Sequence, residues 1–163
     1  MTARQRWKPI LAAALAALLV AGLGALSTDL GSWYQGLQQP AWKPPDRLFG
    51  PAWTVIYALA ALAGVRAWDA APSRSHRETL LVLFALNGFL NLLWSLLFFR
   101  LQRPDWALAE VGFLWVSIVL LMVVLGRYSR AAAALLVPYL IWVSIAATLN
   151  FAVVRLNGPF GAA

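Results

Sequence analysis

The sequence predicts an all-α fold, a polytopic membrane protein built as a bundle of five transmembrane helices. The chain is 62% hydrophobic and only 12% charged, whereas soluble domains are roughly 45–50% apolar and about 25% charged. It also contains five apolar runs, each long enough to cross roughly 30 Å of hydrocarbon. The basic residues lie mainly at the ends of these runs, which is typical of membrane proteins, and they form no basic face for nucleic acid.

The five predicted spans cover residues 9–28, 48–65, 79–99, 106–126 and 131–154 of a single domain, residues 1–163. The first span follows a short basic segment, an arrangement that also describes a signal peptide. Its length of 20 residues and the four spans that follow favour a retained first helix. Pro51 lies in the first turn of the second span, where a missing N–H is tolerated, while Pro138 lies inside the fifth span and predicts a bend.

The distribution of basic residues predicts which side of the membrane each loop occupies. Five basic residues lie on the far side of the spans from the N-terminus. Eight lie on the side of the N-terminus: Arg4, Arg6, Lys8, Arg66, Arg74, Arg77, Arg127 and Arg130. Because loops rich in Lys and Arg tend to stay in the cytoplasm, we expect a cytoplasmic N-terminus and an external first loop. The membrane we expect is that of a bacterial cell envelope.

The loop between the first two spans, residues 29–47, is the most distinctive stretch of the chain. Together with the start of the second span it concentrates aromatic residues and four prolines, Pro40, Pro44, Pro45 and Pro51. Proline fixes φ and biases the residue before it towards extended geometry, so residues 38–45 are not expected to be helical. A stiff aromatic loop at the mouth of a membrane bundle predicts a lid over a pocket between helices, because aromatic faces bind flat apolar ligands.

The start of the second span presents an aromatic face towards this lid. Phe49, Trp53 and Tyr57 are four residues apart and therefore lie on one side of the helix. Just before them, Lys43 and Arg47 either attract the acidic groups of a ligand at the pocket mouth or anchor the loop at the membrane interface.

Polar residues inside the third and fourth spans are further candidates. Asn87, Asn91 and Trp94 share one face of the third span, and two amides in hydrocarbon need hydrogen-bond partners. They either bond across to neighbouring helices or line a ligand cavity, and both alternatives stay open. Glu110, one turn inside the fourth span, is a functional candidate by its depth, or else a structural group that pairs with Arg100 or Arg103 or reaches water at the nearby interface.

Few groups in the chain are suited to catalysis. There is no cysteine, and the single histidine, His76, lies in a polar loop. Disulfides, a thiolate nucleophile, a haem ligand and a histidine base are therefore not expected. We assign no catalytic residue, no metal site and no cofactor, and we favour a binding protein over an enzyme.

Five segments together resemble the TspO/MBR family of tryptophan-rich sensory and translocator proteins, which includes the peripheral benzodiazepine receptor. The segments are WYQGLQQPAWKPP (33–45), FGPAWTVIY (49–57), LNLLWSLLFF (90–99), WALAEV (106–111) and PYLIWVSIAATLNFAVVRLN (138–157). The resemblance covers nearly the whole chain after Gly31. It implies a five-helix membrane bundle, commonly a homodimer, that binds porphyrins, while some members bind cholesterol and benzodiazepine-type ligands.

The resemblance also implies a pocket among the helices beneath the first loop, with its lining residues carried over by position. These are Tyr34, Pro40, Trp42, Pro44, Trp53, Asn87, Asn91, Trp94, Trp142, Ala146 and Leu149, to which the aromatic face adds Phe49 and Tyr57. One position departs from the family pattern. The cholesterol motif of animal members has a tyrosine near the end of the fifth helix where Phe151 stands here, so sterol, like a benzodiazepine-type ligand, stays an open alternative to the porphyrin.

These observations leave three functions to compare. The first is an integral membrane sensor or translocator that binds a tetrapyrrole, a porphyrin, in its pocket. The alternative, which the resemblance to bacterial members allows, is a light-dependent enzyme that degrades porphyrin with Trp53 and Trp142 as redox-active indoles. The third is a scaffold whose aromatic residues only pack or sit at the membrane interfaces. Product formation separates the first two, because a binding protein returns the porphyrin unchanged.

Overall fold

The structure is a computed structural model that describes residues 3–160, with side chains described from residue 9 onwards. Within that range the regular elements are all helical. The α-helices are α1 (Ala3–Ser27), α2 (Ser32–Gly36), α3 (Phe49–Ala70), α4 (Arg74–Ser95), α5 (Pro104–Tyr128), α6 (Arg130–Ala134) and α7 (Val137–Asn157). A 3-10 turn (Asp46–Leu48) leads into α3, and a π-helical turn (Leu96–Arg100) extends α4.

Five helical segments are long and apolar enough to cross a membrane, as the apolar runs predicted. They are Pro9–Ser27, Asp46–Ala70, Arg74–Arg100, Pro104–Tyr128 and Arg130–Asn157. The last four extend beyond the predicted limits because helical structure continues into the polar flanks. Around the bundle, α3 packs against α1, α1 against α4, and α4 against α5. The pair α6 and α7 packs between α5 and α3 and so closes the bundle. The prediction of an all-α bundle of five spans is confirmed.

The centre of the bundle is built around α5. Leu114, Ile118, Leu121 and Leu125 recur every three or four residues, share one face and are almost fully buried. In contrast, α1 carries exposed leucines along most of its length, such as Leu18, which is expected of a helix that faces lipid. A helix that is apolar all round can occupy this outer place because hydrocarbon solvates its leucines.

Small residues bring α1 and α4 close to each other. A Cβ atom added at Gly88 of α4 would lie 3.3 Å from Cγ2 of Val20 in α1, which is tighter than an ordinary contact. In membranes, helices associate through close packing of this kind, because lipid removes the hydrophobic driving force between them.

The fifth span is interrupted where proline predicted a bend. The helix α6 ends at Ala134, a turn follows at Leu135 and Leu136, and Pro138 lies in the first turn of α7. A proline is tolerated there because its missing N–H would have no helical partner in any case. The break places α6 against α3, and α7 begins with Tyr139 and Trp142 in its first two turns.

The lid, residues 29–47, closes one end of the bundle. As predicted, residues 38–45 are not helical. The loop is nevertheless not entirely irregular, because residues Ser32–Gly36 form the short helix α2, whose one buried residue is Tyr34. The orientation across the membrane stays a prediction, and the side chains of Arg4, Arg6 and Lys8 lie outside the described residues.

We predict that the N-terminus is cytoplasmic and the lid external, because eight of the 13 basic residues lie on the side of the N-terminus. The chain contains no cysteine, so a single cysteine at an exposed loop position reports one side only. Cysteine replacing Ser32 in the lid should react with a membrane-impermeant thiol reagent on intact cells. Cysteine replacing Ser75, at the start of α4, should react only after the cells are permeabilised; the reverse labelling pattern would overturn the orientation.

Candidate functional site

A cavity of about 440 Å³ lies between the helices directly beneath the lid. Its size falls within the range of roughly 300–1,000 Å³ that is usual for small-molecule sites. Residues from α1, the lid, α3, α4 with its π turn, and α7 form the wall: Ala21, Gly24, Ala25, Thr28, Leu30, Tyr34, Asp46, Phe49, Gly50, Trp53, Thr54, Tyr57, Trp94, Ser95, Phe99, Trp142 and Ala146.

Aromatic rings from three spans converge on this cavity. Trp53 stacks on Tyr57, with ring centroids 5.3 Å apart and planes inclined by 23°. The ring of Phe49 meets Trp142 of α7 edge to face at 5.4 Å. Such offset and edge contacts are the favoured arrangements of aromatic pairs and hold the rings in fixed orientations. The cavity therefore has stiff, flat, apolar walls.

Small, exposed residues line the cavity where α1 and α3 meet. Ala25 of α1 and Gly50 and Thr54 of α3 belong to its wall and are exposed. All three side chains are small, and nothing lies within 4 Å of a Cβ atom added at Gly50.

A chain of hydrogen bonds runs through the bundle behind the cavity. The Tyr57 hydroxyl donates to Asn91 Oδ1 at 2.7 Å, and Asn91 Nδ2 donates to the Tyr139 hydroxyl at 3.1 Å. The Tyr139 hydroxyl donates to Asn87 Oδ1 at 3.2 Å, and Asn87 Nδ2 donates to Ser117 Oγ at 2.8 Å. Ser117 completes the chain by donating to a backbone carbonyl of its own helix. The bonds join α3, α4, α7 and α5.

These hydrogen bonds give both asparagine side chains their partners. Both Asn87 and Asn91 are buried, and neither lies on the cavity wall. Their bonds to neighbouring helices correspond to the structural alternative considered for them. They act on the cavity indirectly, because Asn91 holds the hydroxyl of Tyr57, and Trp53 packs between Tyr57 and Tyr139.

A second polar cluster, formed by Tyr34, Lys43 and Asp46, lies at the lid end of the cavity. The Tyr34 hydroxyl donates to Asp46 Oδ1 at 3.0 Å and accepts from Lys43 Nζ at 3.0 Å. Lys43 Nζ also pairs with Asp46 Oδ1 at 2.6 Å and lies 4.8 Å from the centre of the Tyr34 ring. Burial raises the pKa of Tyr34, so the phenol stays protonated.

Lys43 keeps its charge in this cluster. Burial alone would lower the pKa of its ammonium group, but the hydrogen bonds to Asp46 and Tyr34 outweigh burial and raise the pKa. Charge-assisted hydrogen bonds of this kind are roughly twice as strong as neutral ones. The lid end of the cavity thus holds a fixed positive charge beside a carboxylate.

Three further contacts fasten the lid to the bundle. The Asn157 side chain at the end of α7 makes two hydrogen bonds to the backbone of Gln38. The Gln38 N–H donates to Asn157 Oδ1 at 2.7 Å, and Asn157 Nδ2 donates to the Gln38 carbonyl at 2.9 Å. Trp33 meets Phe98 edge to face at 6.1 Å, and Tyr34 packs on Phe99 at 5.7 Å. The π turn that follows α4 supplies both phenylalanines.

A smaller cavity of about 30 Å³ adjoins the first one and shares Tyr34, Phe49, Trp94, Phe99 and Ala146 with it. Leu149 and Asn150 of α7 line it from below. Asn150 Oδ1 accepts from the Trp94 indole at 3.2 Å, which fixes that ring between the two cavities. From the lid, Gln39 contributes a buried amide that bonds no protein group in the described part of the chain.

The structure brings most of the predicted pocket residues together. Seven line the main cavity, namely Tyr34, Phe49, Trp53, Tyr57, Trp94, Trp142 and Ala146, and Leu149 lines the smaller one. Pro40, Trp42 and Pro44 of the lid are not on either wall, and the side chain of Trp42 is 53% exposed in a turn. Asn87 and Asn91 lie behind the wall, as described above. The part that each residue plays in binding stays a prediction.

Sequence reasoning missed several residues of the site, and two contributions among them are the most important for its shape. The first is the α1 wall of Ala21, Gly24 and Ala25, for which a run rich in small residues was the available signal. The second is Tyr139, which bonds both asparagines. The need of two buried amides for a partner on a neighbouring helix was a signal for it, although that need does not say which helix supplies the partner.

Glu110 does not form the ion pair that was considered for it. Arg103 pairs with Asp105, and Arg100 donates to the Leu26 carbonyl at 2.7 Å. The carboxyl group of Glu110 is buried within α5, where neither oxygen has a hydrogen-bond partner among the described residues. Within the same part of the chain, no group of three or more His, Cys, Asp or Glu side chains is arranged to hold a metal ion.

Comparison with known proteins agrees with this architecture. The sequence model of the TspO/MBR family matches residues 11–156, which is most of the chain and includes every residue that lines the cavity. The chain belongs to the TspO/MBR family. The match extends over the bundle, the lid and the cavity alike, so the cavity is a feature of a TspO/MBR domain.

Individual relatives of this TspO/MBR protein come from bacteria, archaea and animals. The chain is 42% identical to the tryptophan-rich protein TspO of Chlorobaculum tepidum over 127 residues, 77% of this chain and 80% of the relative. It is 37% identical to the tryptophan-rich protein TspO of Archaeoglobus fulgidus over 150 residues, 91% of this chain and 96% of the relative. It is 32% identical to the human translocator protein over 77% of this chain and 75% of the relative.

We predict that Tyr139→Phe destabilises the bundle by about 1–3 kcal/mol, because it leaves a buried amide donor and a buried amide acceptor without partners. Thermal unfolding in mild detergent, followed by circular dichroism, should show a midpoint several degrees lower. Tyr128→Phe is the matched control, since the Tyr128 ring packs against His76 and its hydroxyl makes no hydrogen bond within the described residues. Equal midpoints for the two variants would mean that the chain of hydrogen bonds contributes little stability.

Proposed function

We propose that this TspO/MBR membrane protein binds a tetrapyrrole, specifically a porphyrin, in the aromatic cavity beneath the lid, and acts as a sensor or translocator of that ligand. One observation carries the proposal. Three indole rings, those of Trp53, Trp94 and Trp142, come from three different helices and border one cavity with few polar groups. Indoles stack well on a flat macrocycle, and their orientation here is fixed by neighbouring rings and hydrogen bonds.

The wall is suited to a flat ligand more than to a flexible one. Trp53 and Tyr57 form one stacked pair on α3, and Phe49 with Trp142 forms an edge-to-face pair across to α7. We infer that the macrocycle lies between Trp53 and Trp142. Ala146, one turn beyond Trp142, leaves room there that a larger side chain would fill. The ordered walls reduce the entropy that binding would otherwise lose in fixing side chains.

The degrading enzyme and the sterol-binding protein receive no specific support from the geometry. Degradation would be recognised as loss of the porphyrin in the binding experiment below. For sterol, Phe151 is half-exposed, with the Arg155 guanidinium 5.9 Å from its ring centre, and it lies outside both cavities. We infer a bacterial cell envelope as the membrane, since several named relatives are bacterial.

We predict that Trp53→Ala or Trp142→Ala weakens porphyrin binding at least tenfold. Loss of an aromatic stacking partner costs about 1 kcal/mol beyond the area that it buries, and roughly 1.4 kcal/mol corresponds to a factor of ten in affinity. The measurement is a fluorescence-quenching titration of the purified protein in detergent, in the dark.

The control variant is Trp68→Ala, because Trp68 lies near the far end of α3 and touches neither cavity. Its affinity should stay within about twofold of the wild type. If all three variants fold and bind as the wild type does, the proposed site is wrong. If binding falls as expected but the illuminated wild type alone consumes the porphyrin, the protein is the degrading enzyme.

We also propose that the protein is a homodimer, from its resemblance to the family. Mass photometry or light scattering in mild detergent should give twice the chain mass of 17.8 kDa after subtraction of the detergent. A single monomer species over a range of detergent concentrations would argue against this assembly.

A further inference from the structure

The lid contains an ion pair beside an otherwise apolar cavity. Tyr34, Lys43 and Asp46 are within hydrogen-bond distance of one another, and two of the three line the cavity wall. The third, Lys43, has a side chain that is only 16% exposed, whereas that of Asp46 is 48% exposed. The cation is therefore the better shielded of the two charges, and its anion partner is half-exposed.

This asymmetry makes the anion the replaceable member. An ammonium group removed from water needs a negative partner, because an enclosed charge without one is costly. A carboxylate that is already half-exposed loses little when it is released to solvent. Another carboxylate that entered from the cavity could take the place of Asp46 beside Lys43 and the Tyr34 hydroxyl without leaving either group unpaired.

We propose that Lys43 and the Tyr34 hydroxyl are the recognition site for a carboxylate group of the ligand, and that Asp46 occupies this site until the ligand replaces it. The inference rests on the proposed function, because it concerns the acidic end of the same bound tetrapyrrole. It makes the ligand class narrower: a flat apolar molecule with at least one carboxylate at its edge. It also means that binding is an exchange of one carboxylate for another.

Exchange of Asp46 for a ligand carboxylate can be distinguished from simple attraction of anions to the lid. If Asp46 competes with the ligand for Lys43, then removal of the Asp46 charge should strengthen the binding of an acid. If Lys43 only attracts anions from solution, then Asp46→Asn still raises the local positive potential, but Arg47→Gln should lower acid binding as much as Lys43→Met does. Arg47 makes no ion pair or hydrogen bond among the described residues, so it separates the two cases.

The experiment compares a porphyrin that carries two propionate groups, protoporphyrin IX, with its dimethyl ester. Both are titrated against the full-length wild type and the variants Lys43→Met, Asp46→Asn and Arg47→Gln in neutral detergent. Lys43→Met should weaken binding of the acid, protoporphyrin IX, about tenfold, because a charge-assisted hydrogen bond is lost. Asp46→Asn should raise the affinity for the acid about three- to tenfold, and Arg47→Gln should change that affinity less than about twofold. The ester should bind all four proteins with affinities that agree within about twofold.

The ester is also an internal test of folding, since it reports the aromatic cavity in every variant. If acid and ester change together, or if Asp46→Asn weakens the acid, the carboxylate site is wrong. Equal losses of acid affinity in Lys43→Met and Arg47→Gln would also overturn it. In each of these cases the proposed function survives as long as Trp53→Ala weakens the binding of both compounds. If the wild type binds neither compound, both the proposed function and this inference fail.

Discussion

The hydrogen bonds of two asparagine side chains are the constraint on which the cavity depends. In hydrocarbon, an amide without a partner costs several kcal/mol, so Asn87 and Asn91 must be satisfied by other helices. Tyr57, Tyr139 and Ser117 do this, and the two tyrosine rings hold Trp53 between them. The polar chain thereby specifies the mutual position of four helices and, through Trp53, the shape of one cavity wall.

The lid is held by a different kind of contact. Its prolines limit the backbone, and it touches the bundle mainly through the rings of Trp33 and Tyr34 and through the Asn157 side chain, while the ion pair of Lys43 lies within the lid itself. These contacts lie at the end of the bundle, where water competes for hydrogen bonds and each is worth less than it would be inside. The site is consequently built from a firm lower part, which the helices determine, and an upper part whose contacts can exchange at small cost.

The sequence was sufficient for the spans but only partly for the site. Lengths of apolar runs predict five helices because the thickness of a bilayer leaves few alternatives. The positions of Trp53, Tyr57 and Trp142 on one cavity followed from helical spacing and the family pattern. The position of Trp42 could not be predicted in this way, because its exposure depends on a turn in the lid. The π turn also had no signal: one extra residue in the last turn of a helix changes where every later side chain points.

The same arrangement suggests how a ligand would be oriented. Inside the bundle the Tyr57 hydroxyl already donates its proton to Asn91, and the Trp94 indole donates to Asn150. These two donors of the deep wall are therefore already engaged, and a ligand could use either of them only by breaking an internal bond. At the lid, in contrast, Lys43 has three ammonium protons, and one of its partners is half in water. The free energy of polar contacts thus favours a ligand whose apolar ring lies deep and whose acidic edge points to the lid.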